Sequence, residues 1–428
     1  MTKGVLFFIT LVFCAKYVFI QSSIAQKPRI LISSDIGGTD PDDNQSMAHF
    51  LMYNNLFDIE GLVSSPSFGD GNKSEILRMI DLYEKDLPKL KKHQSGFHSA
   101  SFLRSITKQG RHGAAPMKGF DQPTEGSNWI ISCAQKEAKT PLWVLAWGGL
   151  EDLAQALHDA PEIKNKIRVY WIGGPNKKWS VNSYNYIVSN FPDLWIIEAN
   201  ASYRGLFSNT DIPDSLKNDH YYNSYVRTGG YLGADFINYY DGKVKMGDTP
   251  SLLYMMNGNP TDPLGSSWGG RFVKINHSAK KIFTGPSSEL DTVAVYGVME
   301  FKLKGPLVKL KTGTPCIKLT AEKQVWEGYY LGDGNYMVRY APKQAGKLSY
   351  KIESDIAGFK AFNGSVIVRN LWPGKRGADD FILGDNWYSE PSDANFFDKE
   401  WQGAKTVLKW RDAVLADWIT RWRWLSGE

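Results

Sequence analysis

An open, mostly parallel α/β sheet with an inserted all-β sandwich is the fold predicted by this 428-residue sequence. Three observations lead to it. Short apolar runs alternate with helical patterns up to about residue 200, which implies βαβ units around a parallel sheet. From about Lys280 long helical patterns stop, and short strand-like runs separated by turns take over, which reads as a sandwich. Helical character returns only at the end, where Val407, Trp410, Ala413, Val414, Trp418 and Ile419 line one face.

The elements follow in order. The apolar run 30–32 is a short buried strand. Met47, Ala48, Leu51 and Met52 then mark one face of a helix that starts at Asp42 or Asp43. Residues 59–64 form a second strand, followed by a Gly/Ser/Asp loop. Ile76, Leu77, Ile80, Tyr83 and Leu87 have the 3.6 spacing of a helix. Residues 93–127 carry little pattern and read as a long polar lid or binding loop. A helix over 129–138 precedes a strand at 142–147, which Gly148-Gly149 breaks. Strands at 167–172, closed by Gly173-Gly174-Pro175, and at 194–197 complete the series. Beyond Lys280 the strand-like runs are 293–303, 316–319, 336–340, 348–352 and 365–368. The expected organisation is a signal peptide (1–25), an α/β domain (28–285), an inserted sandwich (288–370) and a C-terminal segment (375–428) returning to the α/β domain.

Hydrophobic residues make up 42% and charged residues 22%, ordinary for a globular chain with a core. Fifteen Trp and 21 Tyr suit a protein that stacks on sugar rings. The net charge of +5 is too weak to argue for nucleic acid. Lys3, an apolar run over 5–13 and Ser23-Ile24-Ala25 predict a cleavable export signal, hence a secreted or periplasmic protein. Phe13 before Cys14 is too large for a lipoprotein signal, and Lys16 interrupts the run, so no stable membrane span is expected. The two remaining cysteines, Cys133 and Cys316, fall in different predicted domains and are expected as free buried thiols. Nothing in the sequence opposes a homo-oligomer.

The chemistry concentrates in Asp35-Ile-Gly-Gly-Thr-Asp-Pro-Asp-Asp43. Four Asp in nine residues repel one another unless a cation sits among them. Calcium fits, as a hard cation that takes several oxygen ligands. Capping and turn roles explain one or two of these residues, but not four beside Gly37-Gly38. Ligands of such sheets bind beyond the carboxyl ends of the strands. The Asp cluster, Gly148-Gly149 and Gly173-Gly174 all lie at such ends, so one edge should gather them.

The same stretch resembles an enlarged form of the Asp-x-Asp-x-Gly-x-Asp-Asp motif of nucleoside hydrolases. It is closer to a secreted nucleoside-hydrolase-like family that includes cellulose-binding proteins of polysaccharide-degrading bacteria. Leu145-Ala-Trp147-Gly-Gly, Ser183-Tyr-Asn185-Tyr and Gly247-Asp248-Thr-Pro are similar to three further motifs of that family, in the same order. Trp268-Gly-Gly-Arg-Phe and the terminal Trp410-to-Trp418 segment resemble the secreted family in particular. The Asp333-to-Lys343 stretch resembles an immunoglobulin-like module found beside glycoside hydrolases. These likenesses imply the nucleoside hydrolase sheet with an immunoglobulin-like insertion. They imply that Asp35 is both calcium ligand and general base, and that Asp43, Asp248 and the Trp147 carbonyl complete the metal shell. Asp42 and Asn185 would hold substrate hydroxyls. Outside the resemblance, Asn72 after the second strand is a substrate contact or a turn residue, and Glu125 in the long loop is a leaving-group acid or a surface or capping residue. Arg111-His112 is a second candidate pair in the same loop.

Two departures bear on the substrate. Ser33 stands where the motif has its first Asp, and the loop between Asp35 and Asp42 is three residues longer than the motif's. Gly247 occupies the place where one nucleoside hydrolase class has a histidine that protonates the leaving base. The expectation is therefore a calcium-dependent hydrolase of a glycosidic bond, an O-glycoside in preference to an N-glycoside. The alternatives are a non-catalytic, cellulose-like carbohydrate binder and a true secreted nucleoside hydrolase.

Overall fold

The computed structural model describes residues 27–207 and 212–427; the expected signal peptide lies outside them. Among the described residues no helix is long and apolar enough to cross a membrane. In chain order the strands are β1 (Arg29–Ser34), β2 (Asp58–Ser64), β3 (Thr107–Gln109), β4 (Leu142–Ala146), β5 (Ile167–Ile172), β6 (Ile196–Ala199), β7 (Val273–Lys274), β8 (His277–Ser278) and β9 (Lys280–Phe283). They continue with β10 (Thr292–Ala294), β11 (Val298–Lys304), β12 (Pro315–Ala321), β13 (Gln324–Gly332), β14 (Asn335–Tyr340), β15 (Gly346–Glu353), β16 (Phe362–Arg369), β17 (Phe381–Ile382) and β18 (Trp387–Ser389).

The main sheet runs β3-β2-β1-β4-β5-β6-β18-β7 and is parallel except for β7. Every residue of β1 is buried. Ile30 and Ile32 pack into one core and Leu31 into the other, one on each face of the sheet. Burial on both faces is why parallel strands read as continuous apolar runs. The chain builds outward from β1 in one direction, then from β4 in the other. The β1/β4 boundary is therefore the switch point at which open α/β sheets bind ligands.

Two expectations need correction here. The supposed loop at 93–127 contains the helix Ala100–Ser105, the edge strand β3 and the start of the helix Glu125–Gln135. The helix Asp42–Tyr53 is buried on nearly all sides, not one, because the C-terminal helix Arg411–Ser426 covers it. Tyr53 OH donates to Asp417 Oδ2 at 2.5 Å, and the His49 and Trp418 rings meet at 5.2 Å.

The all-β unit is one eight-stranded series, β10-β16-β15-β12-β13-β14-β11-β9, with its own apolar core. It begins at Lys280, earlier than the expected 288, because β9 pairs in parallel with β11. The apolar run 293–303 is two strands, not one, since Tyr296 takes a left-handed φ of 62° between them. After this unit, β18 re-enters the main sheet between β6 and β7, so the C-terminal segment returns to the α/β sheet. Cys133 and Cys316 are free, and Cys316 is only partly buried.

Candidate metal centre and active-site cavity

Asp35 leaves the end of β1, and the helix that starts at Asp42 carries Asp42 and Asp43 in its first turn. Acidic side chains there complement the positive end of the helix dipole. Ser34 Oγ donates to Asp43 Oδ1 and accepts from Ile36 N–H at 3.1 Å, which ties the strand end to the helix start.

Asp248 arrives from far along the chain, and buried polar side chains of the same helix hold its loop. Gln45 Oε1 accepts from Lys245 N–H at 2.7 Å and from Met246 N–H at 3.1 Å, while Gln45 Nε2 donates to Lys243 O at 2.8 Å. Thr249 Oγ1 donates to Ser46 Oγ at 3.0 Å. Gly247 makes room for the Asp42 carboxylate: a Cβ there would lie 2.3 Å from Asp42 Oδ2 and push that carboxylate out of place. Gly148 is equally constrained, since its Cβ would meet the Asp35 side chain at 2.7 Å.

Asp42, Asp43 and Asp248 each offer a carboxylate oxygen, all within 4.8 Å of one another. Asp35 stands beside them and Asp40 lies outward on an ion pair with Lys245 at 2.5 Å. Lys245 is also 3.8 Å from Asp42. Burial pushes the Asp35 carboxyl up to about 7 against the lowering hydrogen bond with Asp43. Burial and then the Asp40 charge push Asp42 up to about 8. Asp43 and Asp248 are driven well above the carboxylate range by burial first and then by neighbouring carboxylates. Asp248 Oδ2 is buried with no hydrogen-bond partner. A cluster of buried carboxylate oxygens, one of them unpaired, suits a hard metal cation.

These residues line a cavity of about 510 Å³ with Phe68, Trp179, Tyr203 and Tyr240 among its aromatic walls. Of the expected site residues, Asp35, Asp42, Asp43, Trp147 and Asp248 come together in it. Asp42, expected as a sugar contact, sits in the three-carboxylate group, while Asp35 is adjacent to that group. The Trp147 carbonyl already accepts from Asn176 Nδ2 at 2.8 Å.

Three expected residues do not reach the cavity. Asn72 is exposed and caps the helix Lys73–His93, accepting from Ser74 N–H at 2.9 Å. Glu125 is surface-exposed, 3.0 Å from Lys73, and accepts from Gln109 N–H at 2.9 Å. Its slight burial raises the carboxyl, but these partners outweigh it and hold the pKa below the ordinary value, the wrong direction for a general acid. Asn185 sits on the helix Val181–Asn190, away from the cavity lining. In the same loop as Glu125, His112 faces Asp70 at 3.8 Å on the surface.

The sequence reading missed Asn176 and Lys245. Asn176 follows Gly173-Gly174-Pro175 and links Ser67, the Trp147 carbonyl and the Ile172 carbonyl. Its place two residues past a strand-end glycine pair was the available signal. Lys245, three residues before Asp248, was equally visible as the cation nearest a carboxylate group.

The fold and this site define a nucleoside hydrolase-like protein: a mostly parallel α/β sheet with an acidic cluster at its carboxyl edge, plus an all-β region. Residues 29–272 match the family described as cellulose-binding Sde182, nucleoside hydrolase-like domain, and the chain belongs to that family. Residues 292–355 match a domain of unknown function, DUF5060. No curated protein matches the chain. Among solved structures, a nucleoside hydrolase-related hypothetical protein from Saccharophagus degradans, associated with carbohydrate metabolism, shares 19% identity at a TM-score of 0.50; the match covers 80% of this chain and 100% of that one. The inosine-uridine preferring nucleoside hydrolase from Bacillus anthracis shares 15% identity at a TM-score of 0.38, over 60% of this chain and 87% of that one. A glycoside hydrolase assigned from Bacteroides vulgatus shares 27% identity at a TM-score of 0.14, over 18% of this chain and 16% of that one.

Proposed function

We propose that this protein is a secreted, calcium-dependent hydrolase that cleaves an O-glycosidic bond of a saccharide. The observation that carries the reading is the carboxylate cluster at the β1/β4 switch point, set in an aromatic-walled cavity. Asp42, Asp43 and Asp248 would hold the cation, with Asp35 beside them. A calcium ion held there would supply Lewis acidity toward the attacking water. Asp35 would take the proton of the attacking water: burial raises its carboxyl, and a cation beside it would draw it back toward the ionised form a base requires. The remaining carboxylate charge stabilises the sugar as it gains oxocarbenium character. Aromatic faces such as Trp179 and Tyr240 orient the ring by stacking. Neither Glu125 nor a side chain at position 247 is placed to protonate the leaving group, so a departing alkoxide would take its proton from water, and the O-glycoside reading rests on the family's cellulose-binding description.

A screen of aryl glycosides, oligosaccharides and nucleosides, with and without chelator, tests the reading. Chelator-sensitive release of reducing sugar supports it; base release from inosine or uridine alone overturns the substrate class. The family's cellulose-binding description favours a second reading, a non-catalytic saccharide binder. That reading predicts retention on insoluble polysaccharide with no sugar released.

A further inference from the structure

The cavity is not built by the α/β domain alone. The β12–β13 hairpin turns through Glu322 and Lys323, whose φ values of 48° and 64° are those of a tight hairpin turn. Glu322 pairs with the buried Lys178 at 2.5 Å, and Trp326 Nε1 donates to the Lys178 carbonyl at 3.0 Å. Lys178 belongs to the helix Gly174–Trp179, which also supplies Asn176 and Trp179 to the cavity. The hairpin is thereby clamped to the helix that forms one cavity wall, and Gln324 and Lys343 of the β unit join the lining.

The polar groups at this wall are incompletely partnered. Gln324 Oε1 and Trp179 Nε1 are buried without hydrogen bonds. Buried groups left unpaired destabilise the fold, so an acceptor and a donor bordering one cavity suit a ligand with hydroxyls. Lys343 Nζ lies 5.5 Å above the Trp179 ring, and among the described residues no carboxylate pairs with it. The Trp179 and Phe68 rings meet at a tilt of 32° with centroids 4.8 Å apart, forming an aromatic wall. A sugar ring laid against that wall presents its substituents to Lys343.

We propose that the β unit is part of the substrate site, where Lys343 and Gln324 bind an acidic sugar, carrying a carboxylate or a sulfate ester, that stacks on Trp179. This rests on the saccharide reading above and narrows it to anionic saccharides. The carboxylates of the metal centre repel anions, so the acidic group belongs at the Lys343 end of the cavity, where a charge-assisted hydrogen bond is about twice as strong as a neutral one.

Calorimetric binding to the full chain tests it, with trigalacturonate, its methyl ester, a sulfated galactan trisaccharide and cellotriose as probes. The Asp35→Asn background removes turnover from the measurement. The carboxylated or the sulfated probe should bind about tenfold more tightly than cellotriose and the methyl ester. Which of the two wins identifies the anionic group. Lys343→Gln should erase that preference, and Lys343→Arg should keep it. Equal affinity for neutral and anionic probes, no binding of either anionic probe, or an undiminished preference in Lys343→Gln overturns the assignment. Reducing-sugar release by the unsubstituted chain is read separately. Its absence sinks the catalytic reading while the anionic preference stands, and turnover without that preference does the reverse.

Discussion

Replacing Asp248 by Asn should have opposite consequences with and without calcium. The oxygens of Asp42, Asp43 and Asp248 lie within 4.8 Å of one another. At an effective dielectric of about 20, two full charges at that separation repel by roughly 3.5 kcal/mol. Retained protons already relieve part of this, since burial and neighbouring carboxylates raise all three carboxyls. The Asn side chain is isosteric, and Asp248 Oδ2 has no hydrogen bond to lose. In chelator, Asp248→Asn should therefore be at least as stable as the natural chain, and by up to a few kcal/mol more stable. With calcium at about 100 times its Kd, the natural chain gains ~2.7 kcal/mol by mass action. The variant, short of an anionic ligand, should gain almost none. Denaturant unfolding of both proteins in calcium and in chelator reads all four stabilities. Two results refute the reasoning: a natural chain indifferent to calcium, or a variant destabilised equally in both conditions.

Asp35→Asn should lower turnover by about 10²–10⁴-fold, the usual worth of a general base, while the calcium-induced gain in stability persists; sugar release and unfolding curves check the two halves. In chelator, stability should fall as pH rises. Asp35 and Asp42 titrate near 7 and 8 in the folded chain against an ordinary 3.8, so the folded state binds more protons across that interval. The contribution is fully present below 3.8 and is lost by about pH 8, at most ~1.4 kcal/mol per pH unit for each group; saturating calcium should flatten the slope. Glu125→Gln should leave turnover unchanged and cost less than about 1 kcal/mol, because its ion pairs are exposed; a large loss of turnover would restore it as the leaving-group acid.

Much of the α/β sheet was legible because its strands are buried on both faces and advertise themselves as unbroken apolar runs. β3 was invisible for the converse reason. Thr107, Lys108 and Gln109 form a three-residue edge strand whose Lys108 lies over the Trp129 ring instead of continuing an apolar core. The helix Asp42–Tyr53 looked one-sided because its second cover comes from Trp418 and its neighbours, far away in sequence. In the β unit, a single left-handed residue, Tyr296, divided what hydrophobicity alone read as one strand.

For the site, the sequence by itself marked the place. Four carboxylates and two glycines at the end of one strand leave few uses besides a cation, and Gly247 already argued against a side-chain acid at that position. The tertiary structure decided the membership. It joined Asp248 to Asp42 and Asp43 through Gln45, set Lys245 beside them, and moved Asn72, Glu125 and Asn185 out of the cavity. It also brought Gln324 and Lys343 of the β unit to the cavity wall. A local pattern records whether a residue is buried or caps a turn, because those depend on near neighbours. Which distant side chains share a cavity depends on how separate elements pack, and no spacing along the chain encodes that.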